Sequence, residues 1–189
     1  MKISVKFFLT WVFSVVFLLI FCDLSAQDKP SVLTKTEKEE RICPVLFPSD
    51  ALNFLQKNFQ NIKKIKYYRE KTSDSVFYEA KFKFREKKNS VKFFENGKFY
   101  DTEVEVKKKD LEKEKLALIE TALRKLFFKF KIIKIQLQFL ENQNFTGFEI
   151  ELKGFSEQEE GFFEINLDKF GNVYKTRKIE QNHPFAVYW

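Results

Sequence analysis

Histidine is almost missing from this chain: His183 is the only one in 189 residues. A single imidazole excludes multi-histidine metal sites and leaves one base for any catalytic triad. His183 also stands beside Pro184 near the C-terminus, where it reads as a solvated tail residue. Cysteine is nearly as scarce, with Cys22 in the apolar N-terminal stretch and Cys43 beyond it. The body of the chain therefore keeps one thiol, cannot close a disulfide on itself, and must draw its stability from burial. Cys43 precedes Pro44 in a setting with no motif that would make it a nucleophile. Only 5 glycines and 4 prolines occur, and no Gly-rich phosphate loop, paired-cysteine motif or nucleophile elbow is formed from them. No catalytic residue, metal ligand set or cofactor site is expected, and the chain does not read as an enzyme.

A long block of one charge sign is absent too. Lysines and glutamates alternate along the chain, and the net charge of +7 favours anionic partners only weakly. Lys107-Lys108-Lys109 reads as a solvated turn rather than a phosphate clamp, and nucleic acid is not an expected partner. Glu79, Glu149 and Glu151 alternate with apolar residues, so they are expected on solvent-facing strand positions.

The N-terminus carries Lys2 and Lys6, an apolar run from Phe7 to Cys22, then Leu24-Ser25-Ala26. That pattern reads as a secretory signal peptide over residues 1–26, cleaved after Ala26, because the run is shorter than the ~20 residues that span a bilayer. Two alternatives stay open: a retained anchor, and a lipid-modified Cys22 after the partial lipobox Leu19-Ile20-Phe21. The expected location is the periplasm or the exterior, with membrane contact only if the N-terminus is retained or lipidated.

Residues 27–46 show no sustained period and are rich in charge, which reads as a flexible lead-in. From Phe47 the pattern becomes regular. Pro48 suits a helix start, and Ala51, Leu52, Leu55 and Phe59 share one helical face up to about Asn61. The period then drops to two: Ile65 and Tyr67; Val76, Tyr78, Ala80, Phe82 and Phe84; Val91 and Phe93; and Phe99 to Val106 after the Asn96-Gly97 turn. The same order returns after Asp110, which reads as the cap of a longer helix containing Leu111, Leu118, Ile119, Ala122 and Leu126. Strands follow at Ile133, Ile135, Leu137 and Phe139; at Phe148, Ile150 and Leu152; at Phe163, Ile165 and Leu167; and from Val173.

"NGKFYDT" at 96–102 and "FGNVYKT" at 170–176 place glycine, tyrosine and threonine in the same order. Ile65 aligns with Ile135, Tyr78 with Phe148, Phe82 with Leu152, Val91 with Ile165, Phe93 with Leu167 and Tyr100 with Tyr174. The added residues of the second copy fall between Gly154 and Gly161. The expected fold is α+β: two tandem helix-plus-four-stranded antiparallel meanders, residues 47–109 and 110–189, forming one sheet with the helices on one face and the other face open.

Three stretches, "FPSDALNFLQKNFQNIKKIKYYRE", "FYEAKFKF" and "VKFFENGKFYDT", with a degenerate second copy from Leu111 to Glu180, resemble the exported PepSY-like proteins of Bacteroidetes, also described as beta-lactamase-inhibitor-like. The second copy departs from that pattern in lacking a proline before its helix and in having Phe170-Gly171 in place of Asn-Gly. The resemblance implies a tandem α+β protein outside the cytoplasm that binds without catalysis, and it does not identify a beta-lactamase as the target.

Aromatic residues make up 17% of the chain, with 25 phenylalanines. Phe82, Phe84, Phe93, Phe139 and Phe163 lie on the apolar faces of their strands. Tyr68, Phe77, Phe94, Tyr100, Phe162 and Tyr174 fall on the opposite face, where exposed rings between charges act as anchors for a protein or peptide partner, stand as isolated rings, or are covered by the lead-in. An exported binding module, with inhibition of a periplasmic enzyme as one form of it, is the leading expectation; a membrane-anchored envelope structural protein and an unrecognised hydrolase are the alternatives. The ending "HPFAVYW" reads as a last strand or a tail docked on the sheet. Asp74-Ser75-Val76 and Asn144-Phe145-Thr146 match short glycosylation motifs.

Overall fold

The shift from a four-residue to a two-residue apolar period becomes a helix followed by strands, twice along the chain. The computed structural model describes residues 33–34, 38–72, 74–140 and 144–179. The signal segment, Cys22, His183 and the "HPFAVYW" ending lie outside the described residues. Helix α1 spans Ser49–Asn58 and α2 spans Lys113–Leu126. The strands are β1 (Leu33–Thr34), β2 (Lys38–Ile42), β3 (Lys63–Lys71), β4 (Val76–Phe84), β5 (Lys87–Phe94), β6 (Phe99–Val106), β7 (Lys129–Leu140), β8 (Asn144–Phe155), β9 (Glu160–Asp168) and β10 (Val173–Ile179). Among the described residues no helix is long and apolar enough to cross a membrane.

All ten strands join one sheet in the order β1-β10-β9-β8-β7-β6-β5-β4-β3-β2. From β2 to β10 each strand pairs antiparallel with its sequence neighbour. The two residues of β1 add a parallel pairing on β10. Part of the segment read as a flexible lead-in is thus built into the sheet at both its ends. Four of the five residues of β2 are exposed, so no buried face marked that strand in the sequence.

Both helices lie on one face. Ala51 and Leu55 of α1 pack with Ala80, Phe82, Val91 and Phe93, while Ile119, Ala122 and Leu123 of α2 pack with Ile135, Phe148, Ile150, Ile165 and Leu167. The register joins the two clusters: Asn89, two residues from Val91, opposes Val104, which opposes Leu137, and Leu137 opposes Phe148. Residues that oppose one another point to the same side. Each fully buried Phe, Leu or Ile contributes about 1.5–3 kcal/mol relative to exposure.

Helix ends depart from the sequence reading. Helix α1 stops at Asn58, because the next residue, Phe59, is already extended at φ −129° and ψ 107°; Phe59 caps the helix and still packs edge-on against Phe82 and Phe84. Asp110 does not cap α2. It closes a 3-10 turn, and Glu112 takes the cap position. Leu118 is 37% exposed rather than core. In β7 the alternation breaks between Ile132 and Lys134, which leaves Ile133 outside the core and exposed. The register also sets Tyr67, not Ile65, opposite Ala80, as Ile135 stands opposite Ile150.

Gly97 and Gly171 occupy matching turns. Their φ angles are 79° and 86°, and their amides donate to Phe94 O at 2.9 Å and Asp168 O at 3.0 Å. Each turn also meets a helix: a Cβ on Gly97 would come within 3.0 Å of Pro48 Cβ, and one on Gly171 within 3.2 Å of Leu118 Cβ. Positive φ and close approach together demand glycine.

The sheet is strongly curled. Its outermost strands β1 and β2 are joined by so short a stretch that Thr34 and Lys38 are at most roughly 14 Å apart. On a flat sheet, spaced at ~4.8 Å per strand, they would stand roughly 40 Å apart. The helix-free face forms the inside of this curl, where long polar side chains crowd together.

Candidate functional site

The concave face is organised in rows across the strands. One row runs Tyr68, Glu79, Lys92, Asp101; the next runs Lys81, Ser90, Glu103, Gln138, Gly147, Asp168; a third runs Glu105, Gln136, Glu149, Asn166, Lys175. Alternation alone assigns these residues to one side. Their burial overturns the expectation of solvent-facing carboxylates: Glu79 is 6% exposed, Glu149 9% and Glu151 7%. Curling presses neighbouring rows together, so the side chains cover one another.

Ion pairs and hydrogen bonds tie the rows. Lys92 Nζ lies 2.9 Å from Glu70, and Lys81 Nζ lies 2.7 Å from Glu39 and 3.2 Å from Glu79. Ser90 Oγ donates to Glu79, Lys134 pairs with Glu151, and Arg177 pairs with Glu164. Gln136 Nε2 donates to Glu103 Oε2 at 2.7 Å, and Gln138 Nε2 donates to Glu103 Oε1 at 3.2 Å. Asn166 Nδ2 donates to Glu149 at 3.3 Å.

Acidic groups dominate the middle of this face. Burial raises the Asp101 carboxyl to about 7; Lys92 opposes the rise, and Glu79, Glu149 and Glu70 add to it. Glu103 is held well above the usual carboxylate range, first by burial and then by Glu149 and Asp101. Burial pulls Lys92 down, but Glu70, Glu79, Glu103 and Asp101 outweigh it and hold the ammonium well above its ordinary value. Glu70 on β3 and Glu149 on β8 both act on Asp101 of β6, as the curl requires.

Of the six aromatic residues singled out in the sequence, three form one cluster. Ring centroids of Phe77 and Phe94 are 5.8 Å apart, those of Phe77 and Tyr100 5.2 Å, and those of Phe94 and Tyr100 5.0 Å. Tyr100 is the extra residue where the β5–β6 register shifts, and Tyr174 is the extra residue at the corresponding shift between β9 and β10. Such bulges re-aim a side chain. Tyr174 Oη donates to Gln138 Oε1 at 3.0 Å across Gly147, which opposes Gln138 and has no side chain to block the path. Its hydroxyl is pushed up to about 12, by burial first and then by Glu149, Tyr100, Asp101 and Glu103. The two tyrosines thus approach the same acidic centre from opposite flanks, and both stay exposed, Tyr100 at 39% and Tyr174 at 58%.

Tyr68 and Phe162 do not join them. Tyr68 is half-buried beneath Lys81 Nζ, 4.9 Å from its ring centre. Phe162 opposes Lys153 and Ile179, at the far end of β9 from the tyrosines. Sequence reasoning missed the polar centre of Asp101, Glu103, Gln136, Gln138 and Asn166. Its signal was the unbroken run of acids and amides at alternate positions, and only the curl turns that run into a buried cluster.

Among the described residues no three carboxylate, imidazole or thiol groups converge as a metal site. Cys43 is exposed and unpaired in a disulfide. A cleft of about 460 Å³ lies at the end of α1, lined by Lys57, Lys63, Lys83, Arg85 and Glu86. It is remote from the tyrosines, and Glu86 already bridges Lys63 and Lys83.

No family model matches the sequence, and the comparison with curated proteins gives no match. Solved structures do share the fold. A BLIP-like protein from Bacteroides fragilis is 17% identical with a TM-score of 0.51, covering 76% of this chain and 94% of its own. A DUF2874 family protein from Bacteroides uniformis is 12% identical with a TM-score of 0.51, covering 69% and 88%. Another from Bacteroides ovatus is 13% identical with a TM-score of 0.50, covering 76% and 98%. At these identities the likeness is one of fold.

Proposed function

We propose that this chain is an exported, non-enzymatic binding module of the PepSY-like, beta-lactamase-inhibitor-like type, made of two tandem helix-plus-meander copies and released to the periplasm by cleavage near Ala26. Its concave sheet face engages an envelope or periplasmic protein or peptide, and inhibition of a periplasmic enzyme is one form that engagement takes. The observation that carries this reading is the approach of Tyr100 and Tyr174, each re-aimed by a bulge, to one polar centre on the face without helices. Exposed rings around a polar floor combine apolar contact with fixed hydrogen-bond geometry, which is how a few aromatic anchors come to dominate an interface. The fold shared with the BLIP-like protein supports the reading.

Affinity capture from the host envelope tests it. Tyr100→Ala and Tyr174→Ala lower recovery of a specifically bound protein by about tenfold or more, the range of an interface anchor, while thermal unfolding shows that the domain remains folded. Equal recovery by wild type and both variants removes the concave face from consideration. Mass spectrometry of the isolated protein tests the export reading: a chain starting at Gln27 supports release, and lipid on Cys22 supports an anchored protein instead.

A further inference from the structure

Strand β2 pairs only with β3 among the described residues, so its other edge presents backbone N–H and C=O groups to a further strand. Just past it, in the 3-10 turn Pro44–Leu46, two apolar side chains stand in the open: Val45 is 87% exposed and Leu46 62%.

The register shows what can lie along that edge. Antiparallel pairings alternate from β2 to β10, so β2 and β10 run the same way, and β1 is parallel to β10. Strands β1 and β2 therefore share a direction. They also share a phase: Leu33 opposes Arg177, Glu39 opposes Glu70 and Arg41 opposes Tyr68, and Arg177, Glu70 and Tyr68 all belong to the concave face. The two strands are placed as parts of one extended run, the first beside β10 and the second beside β3.

Strand β10 is described as far as Ile179, but its neighbour reaches further, since β9 pairs with β8 from Glu160 and with β10 only from Phe162. Two more residues of a longer β10 thus have places on β9. Continued in step with the pairing of Leu33 and Arg177, the chain after Ile179 passes β9 with Glu180 and Gln181 and then runs beside β2. Lys38 comes opposite Asn182, Glu39 opposite His183, Arg41 opposite Phe185, Ile42 opposite Ala186 and Val45 opposite Trp189.

We infer that residues 180–189 extend β10 and form the parallel partner of the open β2 edge, closing the curled sheet along its seam and covering Val45 and Leu46. Extended, these residues span roughly 33 Å, enough to pass β2 and reach the turn. His183 stands beside Glu39, which already receives Lys81; Phe185 stands beside Arg41, one strand from Tyr68; and Ala186 stands beside Ile42, which packs on the core beneath α1. Pro184 has no N–H, and successive residues of a strand direct their backbone groups to opposite sides, so His183 and Phe185 carry the ladder. Their amides donate to Lys38 O and Glu40 O, and the amides of Glu40 and Ile42 donate to His183 O and Phe185 O. Closure removes an edge that would template pairing with another chain, and it does not depend on which face captures a partner.

Two measurements on the exported chain, residues 27–189, test this. In a Cys43→Ser background, Lys38→Cys with Asn182→Cys is expected to close an intramolecular disulfide under mild oxidation, because opposed residues of neighbouring strands lie within disulfide reach. Glu40→Cys with Asn182→Cys, two residues out of step, is expected to stay reduced. Hydrogen exchange at the Glu40 and Ile42 amides is expected to be about tenfold slower or more than in a chain ending at Ile179. Failure of the first pair to close, equal closure of both pairs, or equal exchange in the two chains overturns the inference. A disulfide formed only between molecules, or protection that disappears on dilution, assigns the edge to a second copy and overturns it as well. Should the shortened chain fail to fold, the cysteine pairs decide alone.

Discussion

The half built on α1 and the half built on α2 share an element order but fill their cores differently. Beneath α1 the strands offer mostly rings: Phe47 contacts Tyr67, Tyr78 and Phe93 at centroid distances of 4.7, 5.7 and 5.8 Å, and Phe54 stacks on Phe99 at 4.9 Å. Beneath the longer α2 the buried side chains are largely aliphatic, among them Ile119, Leu123, Ile135, Ile150, Leu152, Ile165 and Leu167. The concave sides differ as well. Tyr100 rests against Phe77 and Phe94, whereas Tyr174 crosses Gly147 to reach Gln138. Similar placement of a tyrosine is thus achieved once by ring packing and once by a hydrogen bond. What the halves share is backbone, namely a bulge and a glycine turn; the side chains around it are exchangeable.

Core truncation probes the comparison most strongly. Phe93 and Phe148 are both fully buried, one in each half, and Phe93→Ala or Phe148→Ala is expected to cost about 3–5 kcal/mol. Because β6 and β7 join the halves in one sheet, each variant should lower a single denaturation midpoint by a similar amount. Two separated transitions in urea would show that the halves unfold independently.

A smaller effect comes from pH. Asp101, with its carboxyl raised from 3.8 to about 7, keeps a proton in the folded state that the unfolded chain releases. Its contribution is complete below the unfolded value and is lost as pH rises through about 7. At about 1.4 kcal/mol per unit, the loss is on the order of 4 kcal/mol at most, shared with Glu103. Unfolding free energy should therefore fall between pH 5 and pH 8, and Asp101→Asn should flatten that slope and stabilise the protein at pH 8. An unchanged slope in the variant would place the proton elsewhere. Lys92 and Glu79 face Asp101 and must keep their charges through this range, as the raised Lys92 and lowered Glu79 values allow.

The turns give the finest discrimination. Gly97→Ala and Gly171→Ala each impose a side chain at positive φ, at a cost of about 1 kcal/mol or more. Gly97 should suffer more, since its Cβ would meet Pro48 at 3.0 Å, Asp50 at 3.1 Å and the Ala51 backbone nitrogen at 3.4 Å, whereas a Cβ on Gly171 meets Leu118 alone and no closer than 3.2 Å. Thermal melts of the two variants decide the order.

Much of this architecture was legible in the residues. The strand from Phe99 to Val106 was delimited by its alternation and its glycine turn, and it is β6 to the residue. The side of the sheet carrying Phe77 and Phe94 followed from parity, whereas Tyr100 and Tyr174 reach that side through the bulges at their own positions. Strand β2 was not legible, because Lys38, Glu39, Glu40 and Arg41 offer no apolar face and an edge strand needs none. Bulges were hidden for a related reason: Ile133 has the composition of a core residue, and only the register shift beside it turns it outward. The polar centre was visible as residues but not as a cluster, since curvature belongs to the whole sheet and leaves no mark on a single strand.

Because β2 to β10 lie side by side in the order of synthesis, each new hairpin finds its neighbour already formed, and only the two residues of β1 must wait for a distant partner, β10. Growth of this kind demands little loop closure for so large an antiparallel array, which predicts comparatively fast assembly. It also means that a stall midway leaves a bare ladder edge exposed, so the most hazardous moment for self-association comes while α2 is still unpacked.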